Sequence, residues 1–275
     1  MQVHPLVILT LIGLLPATAV SLSMFLGHNL FLAMFVMHWA AIAFTVIAYT
    51  AVTGGLSGLR WYIRYLVAQQ LKSVLWFCII FFFAGILVVV SGYISASCRL
   101  NEWRYCVGDV DDNIAKYGFQ DAQTWLLIVS LIYFPLMNPL LEELFWRVFM
   151  MRAAGFFPDE SSQRESDEEI GLIRGENGTS RLLSETLKTV PFSVRLLLSA
   201  LYASYHTVVV GVFLGGIVYG VASFFMVTAL GLIFFVLFST FAFDEGFYPA
   251  VFLHMGVDIG VLVALGDAVG WYTLF

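Results

Sequence analysis

The 275-residue chain is 60% hydrophobic and only 12% charged, with a formal net charge of −6 and a mean hydropathy of +0.89. A soluble domain carries about a quarter charged residues, whereas here the apolar residues come in runs of about 18 or more, the length that crosses roughly 30 Å of hydrocarbon. Composition therefore excludes an ordinary soluble domain. The lack of basic patches with interleaved aromatics excludes a nucleic-acid partner. What remains is an all-α, polytopic transmembrane bundle of seven or eight helices in contact with membrane lipid.

The first span is predicted over His4 to Leu26 and the second over Leu30 to Thr53, joined by Gly27-His28-Asn29; neither contains Asp, Glu, Lys or Arg. The first run is long, lacks a basic leader and is followed by further spans, so it reads as a transmembrane helix and not as a cleaved signal. Leu59 to Lys72 mixes Arg60, Arg64 and Lys72 with Trp61, Tyr62 and Tyr65, a composition suited to the headgroup region. Ser73 to Ala96 is the third span, with Phe81, Phe82 and Phe83 read as lipid-facing bulk.

Ser97 to Gln123 is a solvated loop holding Cys98 and Cys106, which can pair only in an oxidising compartment. Its DVDD run lacks the central glycine and closing glutamate of a calcium loop. Thr124 to Gly155 is 32 residues long, about 48 Å as one straight helix. It is expected to kink or split at Pro135 and Pro139.

Phe157 to Val190 is hydrophilic, acidic and serine-rich, and reads as a loop that cannot fold alone. Pro191 to Val210 is the next span. Gly211 to Phe243 is one tilted helix or two, Asp244-Glu245-Gly246 a turn, and Phe247 to Phe275 the last span or pair. A cytoplasmic N-terminus puts Arg60, Arg64, Lys72, Arg164, Arg174, Arg181 and Lys188 inside, as the positive-inside rule prefers. The Asn177-Gly178-Thr179 sequon is then cytoplasmic and unused. The chain divides into N-terminal helices with a polar loop, 1–123, and a C-terminal core, 124–275, with a polar loop at 157–190.

The chemistry concentrates in Asn138 to Arg152, NPLLEELFWRVFMMR. A carboxylate or guanidinium at the centre of a membrane helix costs roughly 2.5–3.5 kcal/mol on insertion scales, so such residues are read as functional or mutually paired. Glu143 and Arg147 are four apart and share a helical face; as a pair they can simply fix packing. Glu142 is turned about 100° from Glu143 and is left for another partner.

Two histidines lie at membrane depth in later segments. His206 follows Tyr202 by one turn, and His254 precedes Asp258 by one turn. Counted from the same membrane edge, Glu142 lies roughly 20 Å deep and His206 roughly 22 Å, with His254 near 10 Å unless its helix starts earlier or the cavity tapers. His4, His28 and His38, with no carboxylate nearby in sequence, read as interfacial or packing residues.

Such a set supports two hydrolytic chemistries. Glu142 can act as general base on a water while the histidines and Asp258 hold the oxyanion. Alternatively Glu142, His206 and His254 can bind a metal, with zinc the candidate, that activates the water. The competing reading is a non-catalytic scaffold or transporter-like protein whose charges bind a proton, an ion or a partner helix.

EExxxR on one span, aromatic-xxx-His on the next and Hxxx(Asn/Asp) on a later one resemble the CPBP family, intramembrane endopeptidases that include the type II CAAX prenyl proteases and bacteriocin-processing proteins. The resemblance runs from Leu126 to Val263. It implies an intramembrane protease in which Glu142 activates water, Glu143 and Arg147 support it, and His206 and His254 are catalytic or ligand-like.

Asp258 stands where type II CAAX proteases have the asparagine of the oxyanion site. An ionised aspartate cannot donate a hydrogen bond, so it must be protonated, bind a metal or orient His254. Tyr202 replaces the usual Phe, and Val148 a small residue. The substrate implied is a membrane-associated, prenylated protein, and the membrane is the endoplasmic reticulum in a eukaryote or the plasma membrane in a bacterium. HExxH and GxGD, which mark other intramembrane protease classes, are absent.

Overall fold

The computed structural model describes residues 5–53, 116, 124–156, 190–213, 216–240 and 243–268. Among them there is no strand, and six long helices account for nearly all of the chain described. The predicted headgroup segment, the third span, the Cys98/Cys106 loop, the sequon and the basic residues used for orientation lie outside the described residues.

α1 is Pro5–Gly27. Its Thr10 and Thr18 hydroxyls donate to the Leu6 and Leu14 carbonyls at 2.8 and 3.0 Å, which satisfies them inside an apolar helix. His28, at φ 46°, makes the turn. Asn29 then caps α2, its Oδ1 accepting the Leu32 N–H at 2.9 Å. α2 runs Leu30–Thr53 and is π-helical over Val36–Ala43.

α3 is one continuous helix over 124–153: α-helical at Thr124–Glu143, π-helical at Leu144–Phe149 and α-helical at Met150–Ala153. Of the expected kink or split, the split does not occur, because Pro135 and Pro139 both sit inside continuous helix. A proline removes one N–H and one helical bond, and the surrounding turns hold the segment together. The irregularity comes instead just after the acidic pair. α3 ends on Gly155 at φ 80°, with Gly155 N–H donating to the Arg152 carbonyl and Phe156 N–H to that of Met151.

α4, Phe192–Phe213, and α5, Ile217–Thr240, form a helical hairpin. The run from Gly211 is thus a single helix whose first residues belong to α4. α6 is Phe243–Ala268, so Asp244-Glu245-Gly246 lie within the helix and not in a turn. That earlier start places His254 roughly 16 Å along α6, closer to the depth of Glu142 than a start at Phe247 gives.

Four of the six helices, α1, α2, α4 and α5, are long and apolar enough to cross a membrane. The other two carry the acidic residues. α3 packs against α6 and the π-helical part of α2, α1 against α2 and α4, and α5 against α4 and α6. The core is built where they meet, from Phe145, Trp146, Phe149, Met150, Leu198, Tyr202, Phe234, Phe238 and Phe247.

Candidate active site

Glu142, Glu143 and Arg147 on α3 are fully buried, at 1%, 0% and 0% exposure. Adjacent carboxylates on a helix diverge by about 100°, and here they reach different neighbours. Glu143 Oε2 lies 3.2 Å from Arg147 Nε, and its Oε1 accepts from His254 Nδ1 at 3.0 Å. The guanidinium is closed in by aromatic rings, 4.7 Å from Tyr202, 5.2 Å from Phe234 and 5.0 Å from Phe235. Its other N–H groups meet these faces in place of hydrogen-bond acceptors. Arg147 therefore ties α3 to α4 and α5 while neutralising Glu143.

His254 is oriented by that carboxylate. With Nδ1–H donated to Glu143, its Nε2 faces Glu142 Oε2 at 3.5 Å, Asp258 Oδ1 at 3.7 Å and the Tyr202 hydroxyl at 3.3 Å. Phe234 stacks on the ring at 5.6 Å. Arg147, Glu143, His254 and Glu142 form one chain of contacts through the centre of the bundle. Neither oxygen of Glu142 has a formed hydrogen bond to another protein atom, although the group is buried; an ionised carboxylate in that position needs a polar occupant.

Asp258 is brought to the same place. Its Oδ2 accepts from Asn138 Nδ2 at 2.8 Å, while Oδ1 faces His254. Asn138 lies one turn before Glu142 on α3, and its Oδ1 accepts from His38 Nε2 at 2.6 Å. His38 is also 3.8 Å from Glu142 Oε1. Its Nδ1 meets the Tyr133 hydroxyl at 3.1 Å. The expectation that His38 is a packing residue is thus corrected: it is completely buried and its ring sits at the acidic cluster.

His206 is placed less centrally. Its Nδ1–H donates to the Tyr202 carbonyl at 3.1 Å, and its ring lies 4.1 Å from that of Tyr205. It is close enough to feel the Glu142 charge but makes no hydrogen bond or ion pair with it. Tyr205 is buried with its hydroxyl in range of Glu142, short of a formed hydrogen bond. Among the described residues no group of three or more His, Cys, Asp or Glu side chains is gathered as a metal-ligand set. Of the three residues considered for a metal, His206 and His254 have the partners above.

Sequence reading missed His38 and Asn138 as site residues. Both are uncharged and vanish into apolar spans. The one available signal was the four-residue spacing of Asn138 and Glu142, which puts a carboxamide on the acidic face.

Residues 124–260 match the family model of the Rce1-like type II CAAX prenyl endopeptidases. That segment takes in all of α3, α4 and α5 and most of α6, and with them every site residue except His38. No curated protein and no solved structure matches the chain.

Proposed function

The chain belongs, through residues 124–260, to the CPBP family of intramembrane proteases, and from that premise we propose that it hydrolyses a peptide bond at the membrane with Glu142 as general base. The observation that carries this reading is Glu142 itself: a buried carboxylate with both oxygens free of hydrogen bonds, set 3.5 Å from a histidine that a second carboxylate holds in place. Glu142 takes a proton from a water as the water oxygen bonds to the scissile carbonyl carbon. The carbonyl becomes an oxyanion that needs donors around it. The Tyr202 hydroxyl, 3.3 Å from His254 Nε2, is one such donor. Collapse of the intermediate breaks the C–N bond, and the proton held on Glu142 passes to the leaving amine.

Glu143 and Arg147 act through His254. A carboxylate on Nδ1 fixes the ring and leaves Nε2 for the reaction, and the arginine stops Glu143 from adding a second uncompensated charge beside Glu142. His206 borders the site through Tyr202 and Tyr205. The substrate class we propose is the prenylated C-terminal tail of a CAAX protein, from which the terminal tripeptide is removed. The lipid-exposed helices suit a chain that meets a lipid-modified substrate in the plane of the bilayer, in the endoplasmic reticulum of a eukaryote or the plasma membrane of a bacterium.

The test is cleavage of a farnesylated CAAX peptide by the purified protein in lipid. Wild type cleaves with or without a chelator, and Glu142→Gln folds but loses about 10²–10⁴-fold in kcat, the usual contribution of a general base. Full activity in Glu142→Gln removes the glutamate as base. Loss of wild-type cleavage on chelation, restored by added zinc, replaces the mechanism with a metal-dependent one.

A further inference from the structure

His38 lies on α2, outside the segment matched to the family, and nothing in the proposed hydrolysis so far uses it. Its hydrogen bonds are directional. The Asp258 carboxylate accepts, so Asn138 Nδ2 donates to it at 2.8 Å. The Asn138 carbonyl oxygen can then only accept, so His38 Nε2 carries the hydrogen of the 2.6 Å bond. His38 Nδ1 is left as the acceptor for the Tyr133 hydroxyl at 3.1 Å.

The chain Tyr133, His38, Asn138, Asp258 therefore runs one way, from hydroxyl to carboxylate, and sets the carboxamide with its NH₂ toward the acidic cluster. That NH₂ has two hydrogens, and Asp258 takes one. Beside the Tyr202 hydroxyl the site presents three carboxylates, Glu142, Glu143 and Asp258, none of which donates when ionised. A neutral donor one turn from the proposed base is what a developing oxyanion requires.

We infer that His38 is a positioning residue of the active site, holding the Asn138 carboxamide so that one N–H rests on Asp258 and the other is presented to the oxyanion formed beside Glu142. The inference rests on the hydrolytic reading above. It assigns a second oxyanion donor to α3 and its alignment to a helix of the N-terminal region. It also accounts for the tolerance of an aspartate at position 258, which serves as acceptor for the amide.

The experiment uses the full chain in lipid and the farnesylated peptide, with wild type and Glu142→Gln as references. His38→Phe keeps an aromatic ring of similar bulk but cannot donate; His38→Gln restores an N–H donor; Asn138→Ala removes the amide. His38→Phe is expected to lower kcat at least tenfold with KM within twofold, and His38→Gln to recover most of that loss. In the Asn138→Ala background His38→Phe should have no further effect, because its action passes through the amide. Should His38→Phe not fold, His38→Met serves as the non-donating variant.

Wild-type kcat in the non-donating variant, failure of His38→Gln to rescue, or independent multiplication of the two losses overturns the inference while leaving the hydrolysis standing. No cleavage by folded wild type overturns the hydrolytic reading and this one with it.

Discussion

Consecutive positions on a helix point about 100° apart, and that single fact separates the tasks of Glu142 and Glu143. Glu143 is held by Arg147 and holds His254 in turn, whereas Glu142 keeps both oxygens open. Removing one partner of a buried pair strands the other, so Arg147→Ala should lower stability by about 3–5 kcal/mol, read from denaturant unfolding in detergent. Arg147→Lys should recover only part, because an ammonium cannot lay a planar face against Tyr202, Phe234 and Phe235 together. An unchanged unfolding midpoint in Arg147→Ala would show that the rings contribute the stability without the cation.

Glu142, Glu143, Arg147, His254 and Asp258 were legible in the sequence because each carries charge or an imidazole in register with a carboxylate inside an apolar run. His38 and Asn138 were not. A neutral histidine in a span without acidic residues looks the same whether it packs or bonds, and its partner lies 100 positions along the chain.

Helix-scale geometry depends on where backbones approach closely. A Cβ on Gly220 would meet the Thr207 carbonyl oxygen at 3.0 Å and the Gly211 Cα at 3.4 Å, so two glycines set the spacing of the α4–α5 hairpin. Gly220→Leu should therefore cost about 1–3 kcal/mol through overpacking. Gly216→Ala, which would meet only the Tyr219 ring, at 3.4 Å, should change little. Thermal unfolding of the two variants in the same detergent makes the comparison, and equal midpoints would deny the close crossing.

Among the described residues hydropathy located the helices well and their interiors poorly. Prolines suggested a kink or a split in α3, and the helix is not split, since isolated losses of one hydrogen bond are bearable in a packed helix. The π-helical segments at Val36–Ala43 and Leu144–Phe149 carry no proline and no glycine, so nothing in their composition announced them. The start of α6 at Phe243 was hidden by Asp244, Glu245 and Gly246, whose turn propensity was outweighed by the tertiary setting.

For the molecule as a whole, the family-matched segment is not self-contained. α1 packs on α4, with Gly13 close against Leu201 and Met150, and α2 brings His38 to Glu142. Residues 116–275 expressed alone should show no cleavage of the farnesylated peptide. Co-expression with residues 1–115 should restore it, because the helices meet through side-chain packing. Full activity in the shorter piece would show that α1 and α2 serve only to anchor the chain. The N-terminal helices carried no legible functional signature, for their contribution is one ring and a set of packing surfaces.

The two π-helical segments flank this junction: His38 stands inside one, and the other begins directly after Glu143. A π turn spends one residue more than the α turn it replaces, so each segment re-aims the side chains within it while the helix on either side keeps nearly its phase. Deleting Ala40 should turn that segment into regular α-helix, leaving the two ends of α2 nearly in phase while changing the directions of the side chains inside it. Hydropathy and span length would hardly change, yet His38 could no longer face Asn138 while both ends kept their packing. The expected result is a folded, membrane-inserted protein with impaired cleavage. In related chains the same geometry would then show as a one-residue gap in the middle of a transmembrane helix, where a gap is ordinarily taken for an alignment error.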